Sequence, residues 1–91
     1  NSSYSANVHY WLGLLLLNKN DLTEAKTEFD IVVDNFPDSN KRSEAMLKLA
    51  MVQQKEKNTS QAVAQYRKVI KEYPDSSAAV LAQTRLESLT Q

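Results

Sequence analysis

The sequence contains no cysteine. Disulfides and thiolate metal sites are therefore excluded, and the redox compartment is left open. One glycine and two prolines among 91 residues are too few turn formers for an all-β domain. Neither charge sign is in excess, with eleven basic and eleven acidic side chains. That balance argues against a general nucleic-acid surface or an anionic-membrane surface, each of which needs a basic excess. The longest apolar run, Trp11 to Leu17 with Gly13 inside it, is too short to cross a bilayer, so no direct membrane insertion is expected. The single histidine, His9, has no second imidazole or thiolate to share a metal with, and a solvated or capping role is expected. Asp30 and Asp34 lie one helical turn apart without a third ligand and read as a solvated face. No serine–histidine–acid set and no glycine-rich phosphate loop is present. No enzyme activity, catalytic residue, metal or cofactor is therefore expected.

What is present is a helical composition. Apolar residues make up 42% and charged residues 24%, which is ordinary for a soluble domain. The stretches rich in Ala, Leu, Lys, Glu and Gln favour helix. The chain opens on Asn1 rather than Met, and a processed or excised piece of something longer is the expectation. Ser3 or Ser5 is placed to cap a first helix running to about Leu17, where Asn18-Lys19-Asn20 breaks it. Asp21 and Glu24 have the spacing of a capping box for a second helix, which carries Leu22, Ala25, Phe29, Val32 and Val33 on one face. Pro37 ends it. The spacing predicts a third helix from about Lys41 to Gln54, capped at its negative end by Lys55 and Lys57. A fourth follows the cap Asn58-Thr59-Ser60 and stops at Tyr73-Pro74; that tripeptide also matches a glycosylation acceptor, but a cap explains it better. Asp75-Ser76-Ser77 caps a fifth, from Ala78 to about Leu89. Short connections make consecutive helices antiparallel neighbours.

The apolar ladder occurs twice. At an offset of 37 residues Val8 pairs with Ala45, Leu12 with Leu49, Gly13 with Ala50, Ala25 with Ala62, Phe29 with Tyr66, Val32 with Val69 and Pro37 with Pro74. Small residues at 13 and 50, and at 25 and 62, permit close helix approach, and a ring at 29 or 66 fills the space beside them. This small–small–aromatic–proline order resembles the tetratricopeptide repeat. The period exceeds the usual one by about three residues, which fit in the loop at Asn40-Lys41-Arg42. Trp11 sits two places after the family's usual tryptophan, and Gln53 replaces a large apolar residue. The resemblance implies an all-α right-handed superhelix: a repeat over 6–39, a second over 43–76, and a capping helix over 77–90. The outer side of the fifth helix, with Gln83, Arg85 and Glu87, suits a cap. The N-terminal end has none, because Leu14 to Leu17 step around the whole circumference of the first helix. Self-association or packing through that helix is expected.

In a right-handed stack of such repeats the first helix of each pair lines the concave groove. By motif position the groove residues are Asn7, Tyr10, Leu14 and Leu17 from one unit, with Glu44, Leu47, Lys48, Met51 and Gln54 from the next. This apolar strip with polar margins suits a partner helix or extended peptide. Leu47 is equally well explained as core. Repeat domains that grip a C-terminal carboxylate use Lys and Asn where this chain has Tyr10 and Leu14, which argues against a chaperone-tail clamp. Trp11 reads as packing.

A closer likeness rests on four phrases: Tyr10-Trp11-Leu12-Gly13; Phe29-Asp30-Ile31-Val32-Val33 with Phe36-Pro37-Asp38-Ser39; Ala45-Met46-Leu47-Lys48-Leu49 after Lys41; and Val69-Ile70-Lys71-Glu72-Tyr73-Pro74. From about Asn7 to Leu89 the chain resembles the C-terminal repeat domain of the periplasmic cell-division coordinator of the Tol–Pal system, the CpoB or YbgF type. Ala50 departs from the glycine usual there. The resemblance implies a periplasmic adaptor that binds a TolA-type inner-membrane protein. It also implies a link between outer-membrane constriction and a bifunctional peptidoglycan synthase in cell division. The competing readings are a repeat scaffold of outer-membrane protein assembly and a structural, self-associating helical domain.

Overall fold

The computed structural model describes residues 2–91. Five helices follow one another: α1 (Ser2–Asn18), α2 (Leu22–Asn35), α3 (Arg42–Lys55), α4 (Thr59–Glu72) and α5 (Ser77–Leu89). Each packs on the next, and α5 also reaches back to α3. The result is a slab of 42 × 29 × 17 Å. It holds two helix-turn-helix units and a fifth helix laid against the second.

The two units turn alike, residue for residue. α1 ends where Asn20 takes a left-handed φ of 64°, and α3 ends where Lys57 takes 66°. The Asn20 amide donates to the Leu17 carbonyl and the Asp21 amide to that of Leu16; the Lys57 and Asn58 amides do the same to Gln54 and Gln53. This paired closure satisfies carbonyls that the helix end would leave bare. Lys57 adopts without a glycine what glycine adopts freely, because both bonds depend on that φ. α2 and α4 end on Phe36 and Tyr73, which leave the helical region at φ −129° and −133° because a proline follows each.

The expected caps are only partly made. α1 is already helical at Ser2, so Ser3 and Ser5 lie inside it, and a residue preceding Ser2 lies outside those described. Asp21 and Asn58 occupy the positions before α2 and α4, but neither makes a side-chain cap bond. The Asp21 carboxylate instead lies 3.6 Å from Lys19. Ser76 does cap α5, accepting from the Ala79 amide at 3.0 Å.

The core is the repeated ladder. Ala25, Phe29 and Val32 are fully buried, as are Ala62, Tyr66 and Val69 at the same places in the second unit. Gly13 allows the α1–α2 approach: a Cβ there would come within 2.5 Å of the Phe29 ring. The loop that absorbs the longer period supplies a cross-link between units. Arg42 Nε donates to the Val33 carbonyl at 2.9 Å, while Nη1 donates to Glu72 at 2.8 Å and to the Tyr73 hydroxyl at 3.1 Å. One guanidinium thereby joins the ends of α2 and α4 across the start of α3. It also holds the Glu72 carboxyl below its ordinary range.

His9 is neither free in solvent nor a cap. Its Nδ1 lies 2.7 Å from Glu28 Oε1 on α2, and its ring is 6.3 Å from that of Phe36. Asp30 pairs with Lys26 one turn earlier at 3.2 Å, and Asp34 is exposed. No helix among the described residues is long and apolar enough to cross a membrane.

Candidate functional site: the concave face

The first helices α1 and α3, and α5 in the same register, stand side by side. Between them is a hollow of about 170 Å³ lined by Tyr10 from α1, Glu44, Leu47 and Lys48 from α3, and Ser77, Ala78 and Leu81 from α5. A larger hollow of about 310 Å³ lies at the Pro37 turn, lined by Ser3 and residues 35–39. Only the smaller one draws on all three helices of the concave row.

Its floor is apolar and its margin is charged. Tyr10 and Leu47 are nearly buried, at 5% and 4% exposure, whereas Leu81 is 54% exposed at the rim. The Tyr10 ring leans on Phe29, 6.0 Å between centroids, and meets Trp11 edge-on at 5.7 Å. Lys41 sets its ammonium 5.3 Å from the Tyr10 ring centre and 5.5 Å from that of Trp11. The same ammonium lies 3.8 Å from Glu44. A cation over two rings gains from their negative faces, and burying one ring strengthens that attraction.

Burial pushes the Tyr10 phenol up to about 12, and the Glu44 charge and hydrogen bond beside it add to the rise. Between pH 10 and 12 the unfolded chain loses this proton while the folded chain keeps it. Stability from this group is thus whole below pH 10 and is lost as pH rises toward 12. Tyr10→Phe removes that group, so its urea midpoint falls less steeply than wild type over this window. Superimposable alkaline profiles would show that the buried phenol does not contribute.

The groove residues expected from motif position fall into four settings. Tyr10, Leu47 and Lys48 line the hollow together with Glu44. Tyr10 and Leu47 form its floor rather than exposed contact surface, because their rings and methyls close the core at the same time. Leu14, Leu17 and Met51 are partly buried and pack against that core. Gln54 accepts the Tyr66 hydroxyl at 2.7 Å and so ties α3 to α4. Asn7 is half-buried, its Oδ1 enclosed without a hydrogen-bond partner among the described residues. Trp11, expected as packing, is 56% exposed. In the second unit its place is taken by Lys48.

Motif reading passed over the α5 wall and Lys41. The signal was available: Leu81 falls 37 residues after Glu44, and Ala78 the same distance after Lys41. A capping helix in register presents its concave positions like any other first helix. Among the described residues no group of three or more His, Asp or Glu side chains could hold a metal.

The architecture is that of an α-helical repeat protein whose first helices build one shared surface. A family model described as tetratricopeptide repeat matches residues 8–39 and again 44–76, and the chain belongs to the tetratricopeptide-repeat family. Repeats of this family are protein-interaction modules, and a protein partner follows for this chain. No curated protein matches the chain significantly.

Proposed function

We propose that this domain is a non-enzymatic periplasmic adaptor that receives a helix or extended segment of a TolA-type inner-membrane protein in its concave face. In this reading it couples outer-membrane constriction to peptidoglycan synthesis during cell division. The family assignment supports a protein partner. The Tol–Pal assignment is supported by the phrases around Tyr10, Phe29, Ala45 and Val69 that resemble the division coordinator. The observation that carries the choice of surface is that α1, α3 and α5 all contribute to one hollow. Its apolar floor and its Lys41, Glu44 and Lys48 margin match a partner with apolar anchors and charged flanks.

Calorimetric titration with the central helical region of a TolA-type protein from the same organism tests this reading. Saturable binding is expected, weakened about tenfold or more by Lys48→Glu combined with Leu81→Asp, since anchors in a desolvated pocket dominate such interfaces. Absence of heat and of NMR shift changes would overturn the TolA assignment. The outer-membrane assembly scaffold would then be the reading to test. Binding that the double variant leaves untouched would move the site off the concave face.

A further inference from the structure

The tripeptide Asn58-Thr59-Ser60 has the form of an asparagine-glycosylation acceptor, with a helix cap as the competing explanation. The side-chain cap is not made. Asn58 stands before α4 at φ −88° and ψ 69°, and its side chain bonds to no amide of the helix. Ser76, the residue before α5, does accept from its helix, 3.0 Å from the Ala79 nitrogen. Among the described residues the Asn58 carboxamide has no hydrogen bond at all. Lys57 to Gln61 are all exposed, and these five residues line an open hollow of about 380 Å³. The nitrogen that a sugar would join is therefore unengaged and within reach.

The backbone beneath it is lightly held. The first amides of a helix lack a carbonyl one turn back, so Thr59, Ser60 and Gln61 are not tied into α4 through their N–H groups. The Asn58 amide donates to the Gln53 carbonyl, and the Asn58 carbonyl accepts from Ala62. Ala62 is the first buried residue of α4. The turn can thus lift into an enzyme cleft without opening the core, since segments with few buried contacts open locally at the least cost. Asn1-Ser2-Ser3 has the same form, but Asn1 lies outside the described residues.

We propose that Asn58 is a site of N-linked glycosylation, modified on the folded domain by an oligosaccharyltransferase that draws on a glycan carried by a lipid pyrophosphate. Asn58 Nδ2 forms the new bond to the anomeric carbon of the first sugar. The bond from that carbon to the pyrophosphate oxygen breaks, and its electron pair leaves with the lipid pyrophosphate. One carboxamide proton passes to a base of the transferase, and nothing is oxidised or reduced. The Ser60 hydroxyl, two residues on, completes the acceptor. Glu56, two residues before, has no ion-pair partner among the described residues and offers the enzyme an anionic handle. None of residues 57–61 lines the concave hollow, so a glycan here leaves that site open. The modification takes from the adaptor reading only its compartment outside the cytosol.

The first test is mass spectrometry of the protein isolated from its own cells. A glycan on the peptide containing Asn58 is expected, and an unmodified Asn58 there overturns the proposal. The second is incubation of the purified 91-residue chain with a bacterial oligosaccharyltransferase and its lipid-pyrophosphate glycan. The chain should gain one glycan at Asn58, at a rate close to that of a synthetic peptide spanning residues 53–63. Asn58→Gln and Ser60→Ala should each abolish the gain with unchanged helical circular dichroism, and Ser60→Thr should preserve it. Modification of the peptide but not of the folded chain would refute the open turn. An equal rate in Glu56→Ala would remove the carboxylate from the acceptor. The glycosylated chain should bind the TolA-type region as the bare chain does. Binding without glycosylation overturns this inference alone, and glycosylation without binding overturns the TolA assignment alone.

Discussion

Phe29→Ala is expected to lower the unfolding free energy by about 3–5 kcal/mol, the usual cost of emptying a fully buried aromatic site. The Phe29 ring has no solvent exposure and fills the space between α1 and α2. It touches Tyr10 on one side and lies beside Gly13 on the other. Nothing nearby can collapse into the space, because Ala25 and Gly13 are small and Tyr10 is held by Trp11 and Lys41. Domains of this size have a total stability of roughly 5–15 kcal/mol, so the variant should be close to unfolding at ordinary temperature. Urea titration followed by circular dichroism measures the loss. A change below about 1 kcal/mol, the range of ordinary surface substitutions and mild core swaps, would mean that the α1–α2 interface does not depend on this ring.

Gly13→Ala carries the second large effect, and its sign distinguishes two physical terms. Helix propensity alone favours the change by about 1 kcal/mol, since Gly is a poor residue in a helix interior. Packing opposes it. The new Cβ would meet Phe29 ring carbons at 2.5, 2.8 and 2.8 Å, and those atoms belong to a rigid buried ring. Overpacking of this kind costs about 1–3 kcal/mol, and more where the neighbour cannot turn away. Net destabilisation is therefore expected. In a Phe29→Leu background the clash eases and the same substitution should become less harmful or favourable, a coupling that a double-mutant cycle reads directly. Equal effects in both backgrounds would refute the close-approach account. The second unit has Ala50 and Tyr66 at these places, so a Cβ is present there where the first unit has none.

Much of this architecture is legible in the sequence. The doubled ladder from Ala25 to Pro37 and from Ala62 to Pro74 identifies the interior faces, because helical spacing and residue size decide which side chains can be buried together. Small residues opposite rings indicate close approach. Prolines at equivalent places end equivalent helices. Groove residues were harder to place. Tyr10 and Leu47 satisfy both a core and a groove pattern, and they do both, closing the core while forming the floor of the hollow. Gln54 looks like a groove margin in sequence, but the Tyr66 hydroxyl takes it as a partner. The hydroxyl is twelve residues away, beyond the reach of any local rule.

Local pattern also misjudged Trp11 and His9. An indole in an apolar run suggests packing, but packing requires a neighbouring helix, and among the described residues none lies over Trp11, which is 56% exposed. A lone histidine suggests solvent, but antiparallel folding back of α2 brings Glu28 to its Nδ1 at 2.7 Å. By itself, then, the sequence determined which residues repeat, which helices form, where they stop and which faces are apolar. Those properties follow from steric and hydrophobic terms that act within a few residues. Only the tertiary structure decided which apolar faces find a partner: Leu49 and Val52 are covered, whereas their counterparts Leu12 and Leu15 are exposed. Burial is a property of what lies opposite a side chain, and identical periodicity cannot distinguish a covered helix face from an uncovered one.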